Sequence, residues 1–124
     1  MTPGNRPPSP AGPLKPLVFH ILLVLMESER HGYGIVKEVE ERTGDHFKIE
    51  PGNLYRTIRT MLDQGLIEES DARPDSDLDD QRRRYFRVTN PGRDAAKAEA
   101  ARLDTLVTLA RSQDLLSDSS RQRS

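Results

Sequence analysis

Residues 50–59 read Glu50-Pro51-Gly52-Asn53-Leu54-Tyr55-Arg56-Thr57-Ile58-Arg59, and the other elements of the fold are assigned from the helix that begins here. Pro51 predicts that a helix begins there, because the first helical position has no intrahelical amide donor to lose. The apolar residues recur at helical spacing and predict a buried stripe of Leu54, Ile58, Met61 and Leu62. The opposite face then exposes an amide, a phenol and two guanidinium groups, which suits DNA recognition better than core packing.

The segments after this helix, which we call the recognition helix, have the order of a winged helix-turn-helix. The recognition helix is expected to end at Gly65. Residues 66–72 and 83–89 then predict two strands, and the charged loop between them is the wing. We therefore predict a mainly α fold with a small β-hairpin.

Two more helices are predicted before the recognition helix. Residues 14–28 form a segment that is apolar on nearly all sides, so this helix must be covered on two faces. A second helix is expected to begin near His31 or Gly32 and to end at Gly44, a glycine C-cap. The apolar residues assigned to the second helix are Tyr33, Ile35, Val36 and Val39.

A long last helix is predicted from Thr89 or Asn90, with Pro91 in its first turn. Its apolar residues are spaced four, three, four and three apart, the seam pattern of paired helices, at Ala96, Ala100, Leu103, Val107 and Ala110. This seam can pack on its own domain or on a second copy of the chain. We expect a homodimer whose interface uses both apolar helices, through Leu17, Ile21, Val24, Ala100, Leu103, Leu106, Val107 and Ala110.

The length and composition fit one small domain. The chain has 124 residues, of which 1–13 and 112–124 are predicted to be disordered tails. A DNA-binding domain over 14–89 and a dimerisation helix over 90–111 remain between them. A domain of this size buries a modest core and often gains stability by pairing with a second copy. The absence of cysteine excludes disulfides and thiolate metal sites, and we expect no cofactor and no metal.

The charge of the chain is nearly balanced but unevenly distributed. The net charge is −1 and the pI is near 6.3, whereas a strongly basic domain is the simple expectation for nucleic-acid binding. Five aspartates lie within residues 71–80, and a cluster of arginines follows within residues 82–87. A local basic surface can therefore coexist with overall acidity. The aspartate-rich segment is interpreted as a solvated loop tip, since it lacks the calcium-loop pattern.

The N-terminal region predicts a cytoplasmic protein. It is rich in proline and has no basic segment leading to a cleavage site, so no secretory signal is recognised. The apolar run over residues 17–26 is interrupted by His20 and is shorter than the ~20 residues that span a bilayer. We therefore interpret this run as a buried helix without membrane contact.

Four motifs, in order over residues 14–111, resemble the PadR family of transcriptional regulators, in particular its smaller subclass with a single C-terminal helix. They are His31-Gly32-Tyr33-Gly34-Ile35, Pro51-Gly52-Asn53-Leu54-Tyr55-Arg56, Gly65-Leu66-Ile67-Glu68 and Arg83-Arg84-Tyr85-Phe86-Arg87-Val88-Thr89. The resemblance implies a homodimeric repressor that binds an inverted-repeat operator. In some members small aromatic or drug-like compounds act as inducers. Members usually place Ser or Thr where Glu50 stands here.

The residues expected to contact DNA lie on the recognition helix and the wing: Asn53, Tyr55, Arg56, Thr57, Arg59, Arg83 and Arg84. Asn53 and Arg56 are candidates for base contacts, since Asn can bond adenine and Arg can bond guanine at two points. Tyr55 and Arg59 are assigned to phosphate, and the wing arginines to the flanking backbone. The competing interpretation makes the arginines solvated helix charges and Tyr55 a packing residue.

Two other functional classes compete with a DNA-binding regulator. A winged-helix module that binds protein, without specific DNA binding, is suggested by the overall acidity and the aspartate-rich wing. An enzyme is disfavoured, since the chain has no cysteine nucleophile, phosphate-cradling loop or histidine pair at metal spacing. If a small-molecule effector exists, its expected place is the junction between two subunits, where the first and last helices meet.

Overall fold

The computed structural model describes residues 13–44, 48–70 and 84–116. These ranges contain helix α1 (Pro16–Glu27), strand β1 (Arg30–His31), helices α2 (Gly32–Arg42) and α3 (Pro51–Asp63), strands β2 (Ile67–Ser70) and β3 (Tyr85–Val88), and helix α4 (Asn90–Ser112). The four predicted helices and both predicted strands are present. The wing loop and Arg83 lie outside the described residues, as do residues 1–12 and 117–124.

Helix α1 lies at the centre of the domain. It contacts α2, α3, α4 and β3, and its Ile21 and Leu22 have no exposed surface. Full burial of side chains of this size contributes about 1.5–3 kcal/mol each to folding. The apolarity of α1 on nearly all sides is thus explained largely within one chain. Leu23 is one of the large apolar side chains that stay partly exposed.

Helix α3 is amphipathic, as its sequence predicts. Leu54, Ile58 and Met61 are buried in the core, and Leu62 is half-buried. The N-cap residue Glu50 makes no side-chain capping hydrogen bond. Residues 51–53 of the first turn of α3 are exposed beside the polar face of the helix.

The sheet has three antiparallel strands in the order β1-β3-β2. The predicted hairpin of β2 and β3 is present, with Glu68 opposite Arg87 and Glu69 opposite Phe86. Strand β1 was not predicted and adds to the other edge of β3, where His31 lies opposite Tyr85. Two residues are too few to show the alternating pattern that predicts a strand.

The end of α3 and the start of α4 are fixed to each other by Gly65, Thr89 and Gly92. Gly65 adopts a φ of 76°, and the Leu66 amide bonds the Met61 carbonyl at 2.9 Å, which closes α3. The Thr89 hydroxyl accepts from the Gly92 amide at 3.1 Å and donates to the Gly65 carbonyl at 2.5 Å. A Cβ at Gly92 would lie 2.1 Å from the Leu66 carbonyl oxygen, so only glycine fits there.

The two halves of α4 have different surroundings. Near its start, Ala96 and Glu99 are buried and the helix packs against α1. Toward its end, Leu106 and Leu109 are 47% and 52% exposed. The second half of the helix therefore presents apolar side chains to solvent. No helix among the described residues combines the length and the apolar composition needed to cross a lipid bilayer.

Candidate nucleic-acid interface

The outer face of α3 carries most of the predicted DNA-contacting residues. Asn53, Arg56 and Arg59 are exposed there, and Thr57 is half-buried. A Cβ at Gly52 would lie 3.5 Å from Nη1 of Arg56, so this guanidinium extends back over the first turn of α3. The polar groups are thus presented from the N-terminal end of the helix.

A surface groove of about 710 Å³ runs beside this face, between α3, the start of α2 and the start of β3. Its walls combine aromatic, apolar and charged side chains from all three elements: His31, Gly32, Tyr33, Tyr55, Arg56, Ile58, Arg59, Leu62, Asp63, Arg84 and Phe86. Four of the predicted residues, Tyr55, Arg56, Arg59 and Arg84, are therefore brought together around one groove. Asn53 and Thr57 lie on the same helix but do not line it.

Tyr33 is a groove residue that the sequence pattern did not identify. It was assigned to the apolar residues of the second helix, but the structure leaves 65% of it exposed. The reason is helical geometry, because Tyr33 is two residues before Ile35 and thus points away from the buried Ile35 and Val39. That spacing is the signal from which its exposure could have been predicted.

Tyr55 combines both of the roles considered for it. It is 60% exposed and lines the groove, yet its ring also lies over the backbone of α2. A Cβ at Gly32 would be 3.4 Å from Cε1 of Tyr55. Gly32 thus lets the starts of α2 and α3 approach each other, and the packing of the ring holds Tyr55 at the groove.

His31 fixes the start of α2 beside Tyr33. Its Nδ1 accepts a hydrogen bond from the Gly34 amide at 3.1 Å, so the ring caps the helix. The ring stacks on that of Tyr33 with centroids 6.3 Å apart and meets the buried ring of Tyr85 edge-on at 5.3 Å. This chain of contacts links the exposed tyrosine of α2 to the sheet.

The arginines at the groove have two kinds of electrostatic environment. In the described part of the chain, neither Arg56 nor Arg59 forms an ion pair. Arg84 directly precedes β3, and its Nε lies 3.1 Å from Oε2 of Glu69. Cations without a carboxylate partner are available to an anionic ligand, whereas Arg84 already has a partner.

The predicted dimerisation residues fall into two groups. Leu17, Ile21 and Val24 are buried in the core of a single chain. These three side chains have almost no surface left to bury against a second subunit. The residues predicted on α4 are exposed or half-buried in the single chain: Ala100, Leu103, Leu106, Val107 and Ala110.

Glu99 is a buried carboxylate that the seam pattern of α4 did not reveal. It is 5% exposed, and its Oε1 accepts a hydrogen bond from the Leu14 amide at 3.1 Å. The Arg102 guanidinium donates to both of its oxygens, at 3.0 and 2.5 Å. The hydrogen bonds from the Arg102 guanidinium and, to a smaller extent, the hydrogen bond from the Leu14 amide lower the pKa of Glu99 below its ordinary value. This carboxylate ties the chain before α1 to α4.

Comparison with known proteins places these features in a family. Residues 21–98 match the model of the Transcriptional regulator PadR-like family, and this match runs from the middle of α1 into α4. A Lysinibacillus sphaericus protein named Uncharacterized protein X is 32% identical over 73 residues, which are 59% of this chain. The matched region spans 64% of the length of that relative.

Solved structures share the fold. A PadR family transcription regulator from Clostridium difficile R20291 is 24% identical, with a TM-score of 0.66 over 81% of this chain and 98% of its own. A transcriptional regulator from Clostridium thermocellum is 22% identical, with a TM-score of 0.66 over 77% and 87%. RosR of H. salinarum is 29% identical, with a TM-score of 0.55 over 89% and 86%.

Proposed function

Because the chain belongs to the PadR-like family of transcriptional regulators, we propose that it is a homodimeric repressor that binds an inverted-repeat DNA operator. DNA-binding regulation is the function of the family, and the mostly helical fold with its small sheet is that of its solved members. The repressor activity, the symmetric operator and the dimer belong to our proposal. The observation that supports DNA binding is the groove, which collects three arginines and two exposed tyrosines beside α3.

In the proposed complex, α3 enters the major groove with its N-terminal residues facing base edges. Asn53 and Arg56 are exposed in the first two turns, where they can bond adenine and guanine, respectively. Thr57 lies beside them on the same helix. Arg59, Tyr55 and the wing arginines Arg83 and Arg84 hold the sugar-phosphate backbone. Base contacts from α3 thus specify the sequence, and the surrounding groups fix the position of the protein.

Tyr33 adds a contact from α2 to this proposal. The helix before a recognition helix crosses the DNA backbone in helix-turn-helix proteins. Tyr33 is exposed at the start of that helix, and its hydroxyl can donate to a phosphate oxygen. Stacking on His31 holds the ring at the groove. Binding therefore uses α2, α3 and the wing together.

The second half of α4 supplies the proposed dimer interface. Its exposed or half-buried apolar residues share one side of the helix over two turns: Leu103, Leu106, Val107 and Ala110. Pairing of two such helices would remove this surface from water. A two-fold dimer would then present two recognition helices to half-sites about 34–36 Å apart. A small aromatic effector is proposed to bind at the junction of the two subunits, beside the paired α4 helices.

The DNA proposal is tested by fluorescence anisotropy with the DNA upstream of the gene for this protein. The titration is run at two salt concentrations, with an unrelated duplex of equal length as the control. We expect preferential binding to the upstream duplex that weakens with salt, because phosphate contacts release counterions. Equal binding to both duplexes would contradict sequence-specific binding to an operator in the upstream DNA. The absence of DNA binding would favour a winged helix that binds protein.

Oligomeric state is tested separately by light scattering. We expect a dimer for the native chain and a monomer for Leu106→Lys, which places a charge in the proposed interface. Thr108→Lys is the matched control, since Thr108 is exposed on the same helix about 200° around from Leu106. A native monomer at micromolar concentration, or dissociation by both variants alike, would contradict the proposed interface.

A further inference from the structure

Arg84, at the wing side of the groove, forms an ion pair with Glu69 of β2. Nε of Arg84 lies 3.1 Å from Oε2 of Glu69, with the two side chains 71% and 50% exposed. Arg84 lines the groove together with Arg56 and Arg59. Of the described wing arginines, Arg84 is the one that lines the groove, and a carboxylate holds it in the free protein.

The register of the sheet explains why these two side chains meet. Glu69 lies opposite Phe86 in the β2–β3 pair, and Arg84 is two residues before Phe86. Side chains two residues apart on a strand share a face, so Glu69 and Arg84 are diagonal neighbours on one face. Phe86 also lines the groove, which identifies this as the groove face of the sheet.

The neighbouring glutamate belongs to the opposite face. Glu68 lies directly across from Arg87 and accepts a hydrogen bond from its Nε at 2.7 Å. Neither Glu68 nor Arg87 lines the groove. The two glutamates therefore make similar ion pairs on the same strand, and of the four residues in these pairs only Arg84 lines the groove.

We propose that Glu69 is a restraining residue that limits the grip of the wing on DNA by holding Arg84 in competition with phosphate. This inference rests on the proposed DNA-binding function and deepens it. A phosphate that binds Arg84 must displace the Glu69 carboxylate or share the guanidinium with it. Glu69 therefore weakens binding to any sequence, since Arg84 contacts backbone and not base edges.

The effect should be modest and general. Exposed ion pairs contribute little free energy, so we expect Glu69→Gln to tighten DNA binding by about two- to fivefold. Complete neutralisation of one more phosphate by Arg84 adds ~0.9 to the magnitude of the slope of log K against log salt. The increase in affinity should be equal for the upstream duplex and the unrelated duplex, which leaves their affinity ratio unchanged.

The experiment uses the full chain and anisotropy titrations against both duplexes at several salt concentrations. Glu69→Gln is compared with Glu68→Gln, which removes the same charge one residue away on the opposite face. Melting curves of each variant establish that the folded protein is being compared. Tighter binding and a steeper salt slope for Glu69→Gln alone would support the proposal. Equal increases in affinity for both variants would show a general effect of net charge and would overturn the proposal.

A double-mutant cycle with Arg84→Ala separates restraint from simple repulsion. If Glu69 acts by holding Arg84, the increase in affinity from Glu69→Gln disappears in the Arg84→Ala background. An increase that persists there would show that the carboxylate repels phosphate without Arg84, and the proposed restraint would be wrong. If the native chain shows no salt-dependent DNA binding, the proposed function itself fails and this inference fails with it.

Discussion

The recognition helix and the wing carry the same side chain, arginine, in opposite electrostatic settings. On α3, Arg56 and Arg59 are exposed and make no ion pair within the described residues. On the wing, Arg84 pairs with Glu69, and Arg87 hydrogen-bonds to Glu68. The position of an arginine in the sequence therefore does not reveal whether its guanidinium is available to a ligand.

This contrast also bears on the overall charge. A chain of net charge −1 is not an obvious DNA-binding protein. In this fold, glutamates on β2 pair with Arg84 and Arg87, while Arg56 and Arg59 of α3 make no ion pair within the described ranges. We therefore expect α3 to supply most of the sequence-specific affinity and the wing to supply a weaker, adjustable contact.

The largest expected effect comes from removing an unpaired arginine of α3. Arg56→Ala should cost about 1–3 kcal/mol of binding free energy on the cognate duplex, because a bidentate base contact is lost. This corresponds to roughly 5- to 150-fold in affinity. Specificity over the unrelated duplex should fall as well. Lys97→Ala, which removes an exposed cation of α4 outside the groove, is the control; equal losses for both variants would contradict a specific role for Arg56.

A second effect concerns the stability of the fold and depends on the buried carboxylate of Glu99, which pairs with Arg102. Glu99 accepts bonds from Leu14 and Arg102, and these bonds lower its pKa in the folded chain. Stability from such a group is complete above the unfolded pKa, about 4.3, and is lost as pH falls through the lower folded pKa. The melting temperature should therefore decrease below about pH 4.3 as this carboxylate is protonated.

Glu99→Gln tests the assignment of that pH dependence. The variant should melt at a lower temperature than the native chain at neutral pH, and the two melting temperatures should converge as pH falls below about 4. Glu41→Gln, which changes an exposed carboxylate of α2, is the matched control and should run parallel to the native chain. A constant difference between the native chain and Glu99→Gln across this pH range would show that the charge of Glu99 is not responsible.

A smaller effect is expected on the α2 side of the groove. Tyr33→Phe removes one hydroxyl donor, so DNA affinity should fall by about two- to tenfold. Tyr33→Ala also removes the ring that stacks on His31 and should lose more. Melting temperatures should change little for Phe, since most of the side chain is exposed. Native-like DNA affinity in both variants would exclude Tyr33 from the interface.

Much of the fold could be predicted because it follows from local patterns. Pro51 marks the start of α3, Gly65 forms the turn at its end, and Thr89 caps α4. These features act over a few residues, so the sequence displays them directly. The amphipathic stripe of α3 likewise predicts its exposed face, which is where Arg56 and Arg59 lie.

What the sequence did not reveal depends on contacts between distant residues. Strand β1 exists because Arg30 and His31 pair with β3, far along the chain. Burial of Glu99 depends on the Leu14 amide, 85 residues away. The pairing of Arg84 with Glu69 depends on the register of β2 and β3. Residue types and spacing therefore identified the arginines, but only the tertiary structure distinguishes their partners.

The smallest expected effect is confined to the pair on the other face of the wing. Glu68 and Arg87 lie directly opposite each other, and both are about half exposed. Their coupling in a double-mutant cycle on the free energy of unfolding, with Glu68→Gln and Arg87→Gln, should be about 0.5 kcal/mol or less after solvent screening. DNA affinity should show no coupling between them, because this face lies outside the groove. Coupling that is larger in DNA binding than in unfolding would indicate that Arg87 contacts DNA. The ion-paired arginines of the wing would then not differ in function from the unpaired arginines of α3.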